Sequence, residues 1–313
     1  MKNRKIIYLA LAAAALGPAL PELAQAAACG GRGLEVQVLG SGGPELQTRR
    51  ASTSYLVRLA GKPRLVVDAG GGSALRFGES GATVSDLDAI LFSHLHVDHT
   101  ADFAALVKAS YFEARKRPLP VLGPAGAGVF PSTDRFVRAL FDGKNGLYRY
   151  LGDFLDPTGG RYELKPQDVA PPPDGVFRLV LNPELSVSAV TVVHGPVPAL
   201  AWRIEAGGAS VVFTGDGNGD NGAVQKLAKG VGLLVAHDAV GEDAQGPPRA
   251  LHMPPSQIGR VAAEAGAGAL VLGHRMRREL GHEAETRRAI ATRYSGPLSF
   301  ADDLDCFRVG PTP

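Results

Sequence analysis

The sequence predicts an α/β fold in which β-sheets are covered by helices, and two observations support this prediction. First, short apolar segments typical of strands alternate with helical segments along most of the 313 residues. Second, polar residues that can bind metals follow directly after several of these strands, where sites assemble in layered α/β proteins. With 45% hydrophobic and 20% charged residues, the composition is that of a globular protein with an ample core.

The first residues have the pattern of an export signal. It combines a basic start, an apolar stretch too short for a bilayer and a small-residue cleavage site: Lys2, Arg4 and Lys5, then residues 6–16, then Ala24-Gln25-Ala26. We expect residues 1–26 to be a cleaved signal peptide, residues 27–313 to form a single domain, and the mature protein to be periplasmic or secreted. A membrane anchor and a lipoprotein attached through Cys29 are the alternatives.

The mature chain has no excess of positive charge. Removal of residues 1–26 takes away three of the 33 basic residues and one of the 31 acidic residues, so 30 of each remain. Affinity for nucleic acid comes mainly from neutralisation of phosphates. We therefore expect a small-molecule ester substrate, no nucleic-acid partner and no membrane partner beyond the export signal, while the oligomeric state, including a homodimer, stays open.

Two cysteines, Cys29 and Cys306, lie near the two ends of the mature chain. An oxidising compartment permits a disulfide between them, and this bond would tie the start of the mature chain to its last strand. Two free thiols are the alternative.

The first half of the mature chain is expected to alternate strands with glycine-rich turns. The expected strands are residues 34–39, 54–59, 64–68, 89–92 and 119–122, and the expected helices begin near residue 73 and cover 100–116 and most of 129–155. A histidine-rich segment follows the fourth strand and holds four candidate metal ligands in six residues: His94, His96, Asp98 and His99. Positions two apart in an extended chain point to the same side, so His94 and His96 can face one metal. Imidazoles with a carboxylate suit zinc first, then iron or manganese.

The second half repeats one arrangement, in which an apolar strand ends at a potential ligand. Strands over residues 185–193, 210–213, 231–236 and 269–273 end at His194, at Thr214-Gly215-Asp216, at His237-Asp238 and at His274, and helices are expected at about 220–229, 254–266 and 283–293. Strand ends that face one crevice favour a common site. We also expect Asp68, at the end of the third strand, to be a buried hydrogen-bonding group near the metals.

The motif His-x-His-x-Asp-His at residues 94–99 resembles the metal-binding signature of the metallo-β-lactamase superfamily. With Leu39-Gly40-Ser41-Gly42, His194, Thr214-Gly215-Asp216 and His274, the chain is most similar to the branch of ribonuclease Z, arylsulfatases and phosphodiesterases. The resemblance implies an α/β (α+β) fold of four layers, αββα, and two divalent metal ions, zinc first, with Mn²⁺ or Fe as alternatives. The implied ligands are His94, His96 and His194 for the first ion, Asp98, His99 and His274 for the second, and Asp216 as the bridge.

The resemblance also implies a chemistry. A water shared by two dications becomes a hydroxide nucleophile near neutral pH, and it would attack a phosphodiester or related ester in a small molecule. Besides Asp98, the expected catalytic residues are His252, which would protonate the leaving oxygen, and Asp238, which would orient His252. Asp238 replaces the glutamate that is common at this position. His237 and His282 have no necessary role in the reaction, and we expect them to lie on the surface or directly behind the metal ligands.

Other activities remain open at this stage. They are an arylsulfatase-like sulfate ester hydrolase, a lactonase or β-lactamase, an iron-dependent redox enzyme and a metal-binding protein without turnover. The chain has no inserted basic, glycine-rich arm of the kind with which ribonuclease Z grips transfer RNA. We therefore expect no transfer RNA processing.

Overall fold

The computed structural model describes residues 29–311, so the expected signal peptide lies outside the described residues. The first half of the chain forms six strands: β1 (Leu34–Gly40), β2 (Ser54–Leu59), β3 (Lys62–Val67), β4 (Ala89–Leu91), β5 (Leu119–Pro124) and β6 (Leu164–Val169). Four helices accompany them: α1 (Ser73–Glu79), α2 (Val97–Thr100), α3 (Phe103–Ser110) and α4 (Thr133–Phe141).

The second half supplies the remaining elements. Its strands are β7 (Phe177–Asn182), β8 (Leu185–His194), β9 (Val197–Ala206), β10 (Ala209–Phe213), β11 (Leu233–His237), β12 (Leu270–Gly273), β13 (Leu298–Phe300) and β14 (Cys306–Arg308). Its helices are α5 (Ala223–Leu227), α6 (Gly246–Leu251), α7 (Pro255–Ala265) and α8 (Glu283–Ala291). Within residues 29–311, no helix combines the length and the apolar character needed to cross a membrane.

The strands form two mixed sheets of seven strands each. The order in the first sheet is β14-β1-β2-β3-β4-β5-β6, and the order in the second is β13-β12-β11-β10-β9-β8-β7. In each sheet the strands next to the candidate site run parallel: β3 to β6 in the first and β10 to β13 in the second. Parallel strands end at the same edge, so the residues that follow them are brought together.

Alternation of side chains along the strands builds the layers. Tyr55 and Val57 of β2 point into the core between the sheets, while Leu56 packs under the helices on the outer face. On β10, Val211 and Phe213 point to the same inner core. All of these side chains are fully or almost fully buried, as expected for strands that are covered on both faces. The four-layer αββα prediction is therefore confirmed.

Trp202 of β9 fixes the second sheet to the segment that carries the first histidines. Its indole Nε1 donates a hydrogen bond to the carbonyl of Phe92 at 2.9 Å, and the backbone N–H of Leu200 donates to the carbonyl of Ser93 at 2.8 Å. These two carbonyls directly precede His94. The end of β4 is thus held against the opposite sheet before the ligands begin.

A disulfide joins Cys29 to Cys306, with the two Cα atoms 5.5 Å apart. Cys306 lies on β14, which pairs with β1 at Gln37. The prediction of this bond, and of its connection to the last strand, is confirmed.

Two predicted helices are shorter than expected. The helix predicted over residues 100–116 begins at Phe103 and ends at Ser110, and beyond it the buried guanidinium of Arg115 donates to the carbonyls of Val84 and Leu87. In the region of residues 129–155, α4 is followed by a loop and by a 3₁₀ segment at Arg149–Phe154.

Candidate metal centre

The imidazole rings of most histidines meet at the edge where the parallel strands of both sheets end. Neighbouring rings in this group have centroids 4.0–5.9 Å apart. The group consists of His94, His96, His99, His194, His237, His252 and His274. The remaining histidine, His282, is exposed on the surface. The predicted convergence of strand-end residues is therefore what the structure shows.

Three imidazole nitrogens converge first. Nε2 of His94 lies 3.0 Å from Nδ1 of His96, which lies 3.3 Å from Nε2 of His194. Two ligands of a tetrahedral ion with bonds of about 2.0–2.1 Å are about 3.3 Å apart, so these nitrogens have the separation that one ion requires. The backbone at His96 is still extended, which places it on the same side of the chain as His94.

A second group lies beside the first. Nε2 of His274 is 3.3 Å from Oδ2 of Asp98, and Nε2 of His99 is 3.6 Å from the same oxygen. Asp98 and His99 occupy the single turn of α2, while His274 follows β12 in a left-handed conformation with φ of 51°. Histidine adopts this conformation more readily than bulky or branched residues do. These three residues also have the mutual distances of a metal site.

Asp216 lies between the two groups. Its Oδ2 is 3.8 Å from Nε2 of His94 and 3.7 Å from Nε2 of His194, both in the first group. The same oxygen is 3.4 Å from Nε2 of His274 and 3.7 Å from Nε2 of His99, both in the second group. One carboxylate oxygen therefore faces both groups, which is the position expected of a bridging ligand.

Hydrogen bonds behind the centre orient two of its rings. The carboxylate of Asp68 accepts from Nδ1 of His99 at 2.8 Å, and from the backbone N–H and hydroxyl of Ser93 at 2.7 Å each. Nδ1 of His194 donates to the carbonyl of Leu251 at 3.1 Å. Because Nδ1 of each ring donates, Nε2 carries the lone pair that faces the centre. The buried hydrogen-bonding role expected for Asp68 is confirmed.

The two carboxylates of the centre carry the negative charge that attracts cations. Burial lowers the pKa of His94 well below its usual range. Burial acts in the opposite direction on Asp98, but the neighbouring imidazoles of His274 and His99 outweigh it and lower the pKa of Asp98 to about 2. The pKa of Asp216 is also well below its usual range, because the surrounding histidines outweigh its burial. Both carboxylates are therefore charged at neutral pH.

Several buried nitrogens of the centre lack hydrogen-bond partners. Within residues 29–311, these include Nε2 of His99 and both ring nitrogens of His274. A buried polar atom without a partner is costly, and ligation to a cation removes that cost. The donor set of imidazoles and carboxylates, its spacing and these unpaired atoms together fit divalent metal ions.

The expected hydrogen bond between Asp238 and His252 is not formed. In the part of the chain that the structure describes, both carboxylate oxygens of Asp238 and Nδ1 of His252 are buried without a hydrogen-bond partner. The backbone N–H of Asp238 is held by the carbonyl of Gly273 at 2.8 Å, and the aspartate side chain is one methylene shorter than the glutamate it replaces. Nδ1 of His252 instead lies 3.9 Å from Oδ1 of Asp216.

His237, expected either on the surface or behind the ligands, lies behind the ligands, and its contact with Asp216 was not predicted from the sequence. It is buried, and its Nδ1 lies 2.6 Å from Oδ1 of Asp216, while its ring stacks on His274 with centroids 4.8 Å apart. A hydrogen bond to this oxygen turns Oδ2 of Asp216 toward the two ligand groups. The available signal was its position at the end of a strand, which it shares with the other residues of the centre.

Comparison with known proteins identifies the family to which a chain with this geometry belongs. Residues 64–275 match the family model described as a β-lactamase superfamily domain. The chain is also similar to ribonuclease Z of Mycobacterium sp. (strain KMS), with 32% identity over 295 residues that cover 89% of this chain and 97% of that protein. Ribonuclease Z of Mycobacterium bovis (strain BCG / Pasteur 1173P2) is likewise 32% identical, over 89% of this chain and 99% of that protein.

Solved structures agree with this assignment. The metallo-β-lactamase fold protein YhfI from Bacillus subtilis is 26% identical, with a TM-score of 0.66, over 88% of this chain and 99% of that chain. The short form of human tRNase Z is 19% identical, with a TM-score of 0.63 and coverage of 88% and 99%, which shows a shared fold. The prediction that nucleic acid is not a partner is wrong, because relatives that align with 89% of the chain are named ribonuclease Z and point to RNA.

Proposed function

The chain belongs to the metallo-β-lactamase superfamily of metal-dependent hydrolases, and from this premise we propose that it hydrolyses phosphodiester bonds in RNA. The observation that carries the proposal is the position of Asp216, one oxygen of which faces two complete groups of metal ligands. A centre of two ions suits the in-line displacement at a phosphodiester. The similarity to ribonuclease Z over 89% of the chain supports RNA as the substrate.

The residues present would hold two divalent ions. His94, His96 and His194 would bind the first, Asp98, His99 and His274 the second, and Asp216 would be shared. We propose zinc, because imidazole and carboxylate ligands at these separations suit it, with Mn²⁺ or Fe as alternatives. When bound, such ions polarise the phosphoryl group and lower the pKa of a water molecule.

The surrounding side chains of the protein prepare this chemistry. Asp68 fixes the ring of His99, and His237 fixes the carboxylate of Asp216, so that neither ligand has to reorient on binding. Asp98 offers a charged carboxylate next to the reacting groups. His252 lies at the edge of the centre, 3.9 Å from Oδ1 of Asp216, and burial lowers the pKa of its imidazole to about 3, so the ring is neutral at neutral pH. It would therefore take up a proton from the attacking water and deliver that proton to the leaving oxygen.

A second candidate substrate is a small phosphodiester or related ester. An apolar slot adjoins the centre and shares His96 with it; its other lining residues are Leu95, Pro124, Phe130, Pro131, Val197 and Pro198. The slot has a volume of about 40 Å³, so it would take a short apolar substituent of the ester and leave the charged phosphoryl group at the centre.

We also propose that residues 1–26 direct export and that the mature protein, residues 27–313, works in the periplasm or outside the cell. The disulfide between Cys29 and Cys306 supports this proposal, since such bonds persist in oxidising compartments.

The test is parallel turnover of four substrates by the purified mature chain: a precursor transfer RNA, bis(p-nitrophenyl) phosphate, an aryl sulfate and a lactone. Metal content is measured on the same sample. We expect about two metal ions per chain, as the two-metal mechanism requires, and cleavage of both phosphodiesters. Cleavage of bis(p-nitrophenyl) phosphate without cleavage of RNA would move the proposal to the small-molecule candidate. Two bound ions without any turnover, or oxygen consumption by an iron-containing sample, would contradict hydrolysis.

A further inference from the structure

A cluster of aromatic and basic side chains lies beyond α3, and the proposed reaction does not use it. We refer to it as the aromatic–basic cluster; its members are Lys108, Tyr111, Phe112, Tyr150 and Arg161. Lys108 lies on α3 itself, close along the chain to the turn that carries Asp98 and His99. The other members come from the segment after α3, from the 3₁₀ segment and from the loop before β6.

The cations of this cluster lie over aromatic rings. Nζ of Lys108 is 4.4 Å from the ring centroid of Tyr111, 5.0 Å from that of Phe112 and 5.6 Å from that of Tyr150. The guanidinium carbon of Arg161 is 3.6 Å from the ring centroid of Tyr111, and its Nη1 donates to the carbonyl of Tyr111 at 3.1 Å. All four distances are within the range of cation–π attraction, so the cluster holds its rings and charges in fixed relative positions.

The cluster also exposes aromatic surface to solvent. Phe112 is 79% exposed and Tyr150 is 64% exposed. Within residues 29–311, they are the two aromatic residues among the exposed large hydrophobic side chains, and both lie beside Lys108. Two large exposed rings next to one cation are a surface suited to a ligand that is both planar and anionic.

The positive charges of the cluster are not neutralised by the protein. Among residues 29–311, no carboxylate oxygen lies within 4.0 Å of a side-chain nitrogen of Lys108 or Arg161, so neither residue forms an ion pair. Glu113, next to Phe112, accepts hydrogen bonds from the backbone N–H groups of Val84 and Ser85. Glu163, two residues from Arg161, pairs instead with Lys165 at 3.3 Å. The cations are therefore available to an anion from solution.

We propose that the aromatic–basic cluster binds a single-stranded segment of the RNA substrate, with bases stacked on Phe112 and Tyr150 and phosphates beside Lys108 and Arg161. Stacking platforms combined with positive charge are the usual way in which single strands are bound without sequence preference. The proposal rests on the proposed function in that it takes RNA as the substrate, and it supplies a grip where the chain has no inserted arm.

The location of the cluster agrees with this role. Lys108 is nine residues beyond His99. At the helical rise of about 1.5 Å per residue, this separation amounts to about 14 Å along the chain. If α2 and α3 are taken as collinear, a strand with a rise of about 3.4 Å per stacked nucleotide would span this distance in about four nucleotides.

The experiment compares the wild type with the variant Phe112→Ala/Tyr150→Ala. The KM for RNA cleavage and the Kd for a labelled single-stranded RNA are expected to rise about 5- to 100-fold, the equivalent of one or two lost stacking contacts, with kcat unchanged. Turnover of bis(p-nitrophenyl) phosphate is expected to stay the same, because this substrate is too short to reach the cluster. For Lys108→Ala, the slope of log Kd against log salt is expected to fall by about 0.7, the value for one phosphate contact.

Two matched variants serve as controls. Val180→Ala removes an exposed apolar side chain on β7, and Lys226→Ala removes a lysine on α5; both should bind RNA like the wild type. If the double alanine variant is less stable than the wild type, Phe112→Leu decides, because leucine keeps an apolar side chain and removes only the ring. An unchanged Kd for RNA in that variant would overturn the proposal.

Failure of the cluster and failure of the proposed function are distinguishable. A wild type that binds single-stranded RNA through the cluster but does not cleave it would contradict the function and leave the cluster as an RNA site. A wild type that cleaves RNA with a KM insensitive to the variants would overturn the cluster alone. If the Phe112→Ala/Tyr150→Ala variant is a monomer where the wild type is a dimer, and its RNA affinity is unchanged, the cluster is a contact between subunits. This result would also overturn the proposal.

Discussion

Asp216 connects the different parts of the centre at the scale of single residues. Its Oδ2 faces both groups of ligands, and its Oδ1 is held by His237 at 2.6 Å. A carboxylate that is fixed on one oxygen presents the other in one direction, which lowers the entropic cost of binding ions. His252 lies outside these two groups, and its role can therefore be tested separately.

Replacement of His252 by alanine is expected to lower kcat about 10²- to 10⁴-fold, the usual effect of losing a positioned proton donor. The measurement is turnover of bis(p-nitrophenyl) phosphate together with metal content of the same sample, which should not change. His282→Ala removes a histidine whose side chain is 63% exposed and should change neither quantity. Loss of metal from the His252 variant would show that His252 is a metal ligand and not the proton donor, as its place beside His194 and Asp216 allows.

The burial of Asp238 leads to a prediction about how the free energy of unfolding depends on pH. Burial, with a smaller contribution from Glu279, raises the pKa of Asp238 from 3.8 to about 7. Glu283 acts in the same direction, whereas Arg275 and His274 oppose it. Between these two pH values, the folded protein keeps a proton that the unfolded chain releases, so stability falls as pH rises from about 4 to about 7 and then levels off.

Asp238→Asn cannot ionise and should remove this dependence. At pH 8 we expect the variant to be more stable than the wild type, by at most about 4 kcal/mol for a shift of roughly three pKa units. At pH 4 we expect the two proteins to be equally stable. Urea unfolding at both pH values measures the difference. Asp153→Asn, at an exposed position, should leave the pH profile as it is. A wild type whose stability is the same at both pH values, or rises, would contradict the prediction.

The sequence predicted the residues that meet at the centre because the signals are local: a dense motif, and ligands directly after strands. The contact of His237 with Asp216 was not predictable in this way. It depends on the parallel pairing of β10 with β11, which places Phe213 opposite Val235 and so brings the two strand ends together. The missing contact between Asp238 and His252 has the same origin, since side-chain reach is decided by tertiary geometry.

At the scale of elements, the turn from β3 into α1 positions Asp98. A Cβ atom on Gly70 would lie 2.2 Å from the carbonyl oxygen of Asp98 and 2.7 Å from the carbonyl carbon of Ser52. Both neighbours are backbone and cannot move independently of their elements. The close approach of this turn to α2 therefore requires glycine at position 70.

Gly70→Ala is expected to destabilise the protein by about 1–3 kcal/mol or more through overpacking, and to lower metal content because Asp98 is displaced. The measurements are thermal unfolding and metal analysis. Gly78→Ala is the matched control, since a Cβ atom at this position of α1 meets nothing within 4 Å. The control should be unchanged or more stable by up to about 1 kcal/mol, because alanine favours a helix. Equal behaviour of the two variants would exclude the proposed close contact.

Strand β9 shows why some elements escaped the sequence analysis. Its ten residues include Pro198 near the start, and proline argues against a strand in sequence-based reasoning. In the structure Pro198 pairs opposite Val193, close to the end of the β8–β9 hairpin. Proline has no backbone N–H to donate to the neighbouring strand, and a position near a strand end tolerates this loss. Only the folded sheet shows that Pro198 lies at such a position.

At the scale of the whole molecule, net charge proved a poor guide to partners. Equal numbers of acidic and basic residues describe an average over the whole surface, whereas binding depends on where the charges lie. Lys108 and Arg161 stand over aromatic rings, while Glu113 accepts hydrogen bonds from backbone N–H groups. Under the proposal that the aromatic–basic cluster binds RNA, composition could not reveal this partner, because it does not record where the charges lie.

The disulfide gives a prediction at the same scale. The variant Cys29→Ser/Cys306→Ser is expected to lose about 2–5 kcal/mol of unfolding free energy, as is usual when a native bond that closes a long loop is removed. Denaturant unfolding measures the loss. Reduction of the wild type should reproduce it, and a reducing agent should have no further effect on the variant. An unchanged midpoint after complete reduction would show that the bond adds nothing to stability.

The bond between Cys29 and Cys306 also determines how the molecule responds to mechanical force. The two cysteines are separated by 277 positions, so a load applied between the two ends of the chain passes through one covalent link and bypasses nearly all of the fold. Once the link is reduced, the same load falls on the pairing of β1 with β14. In a single-molecule pulling experiment, the oxidised chain should therefore extend very little, whereas the reduced chain should unfold and release its full length.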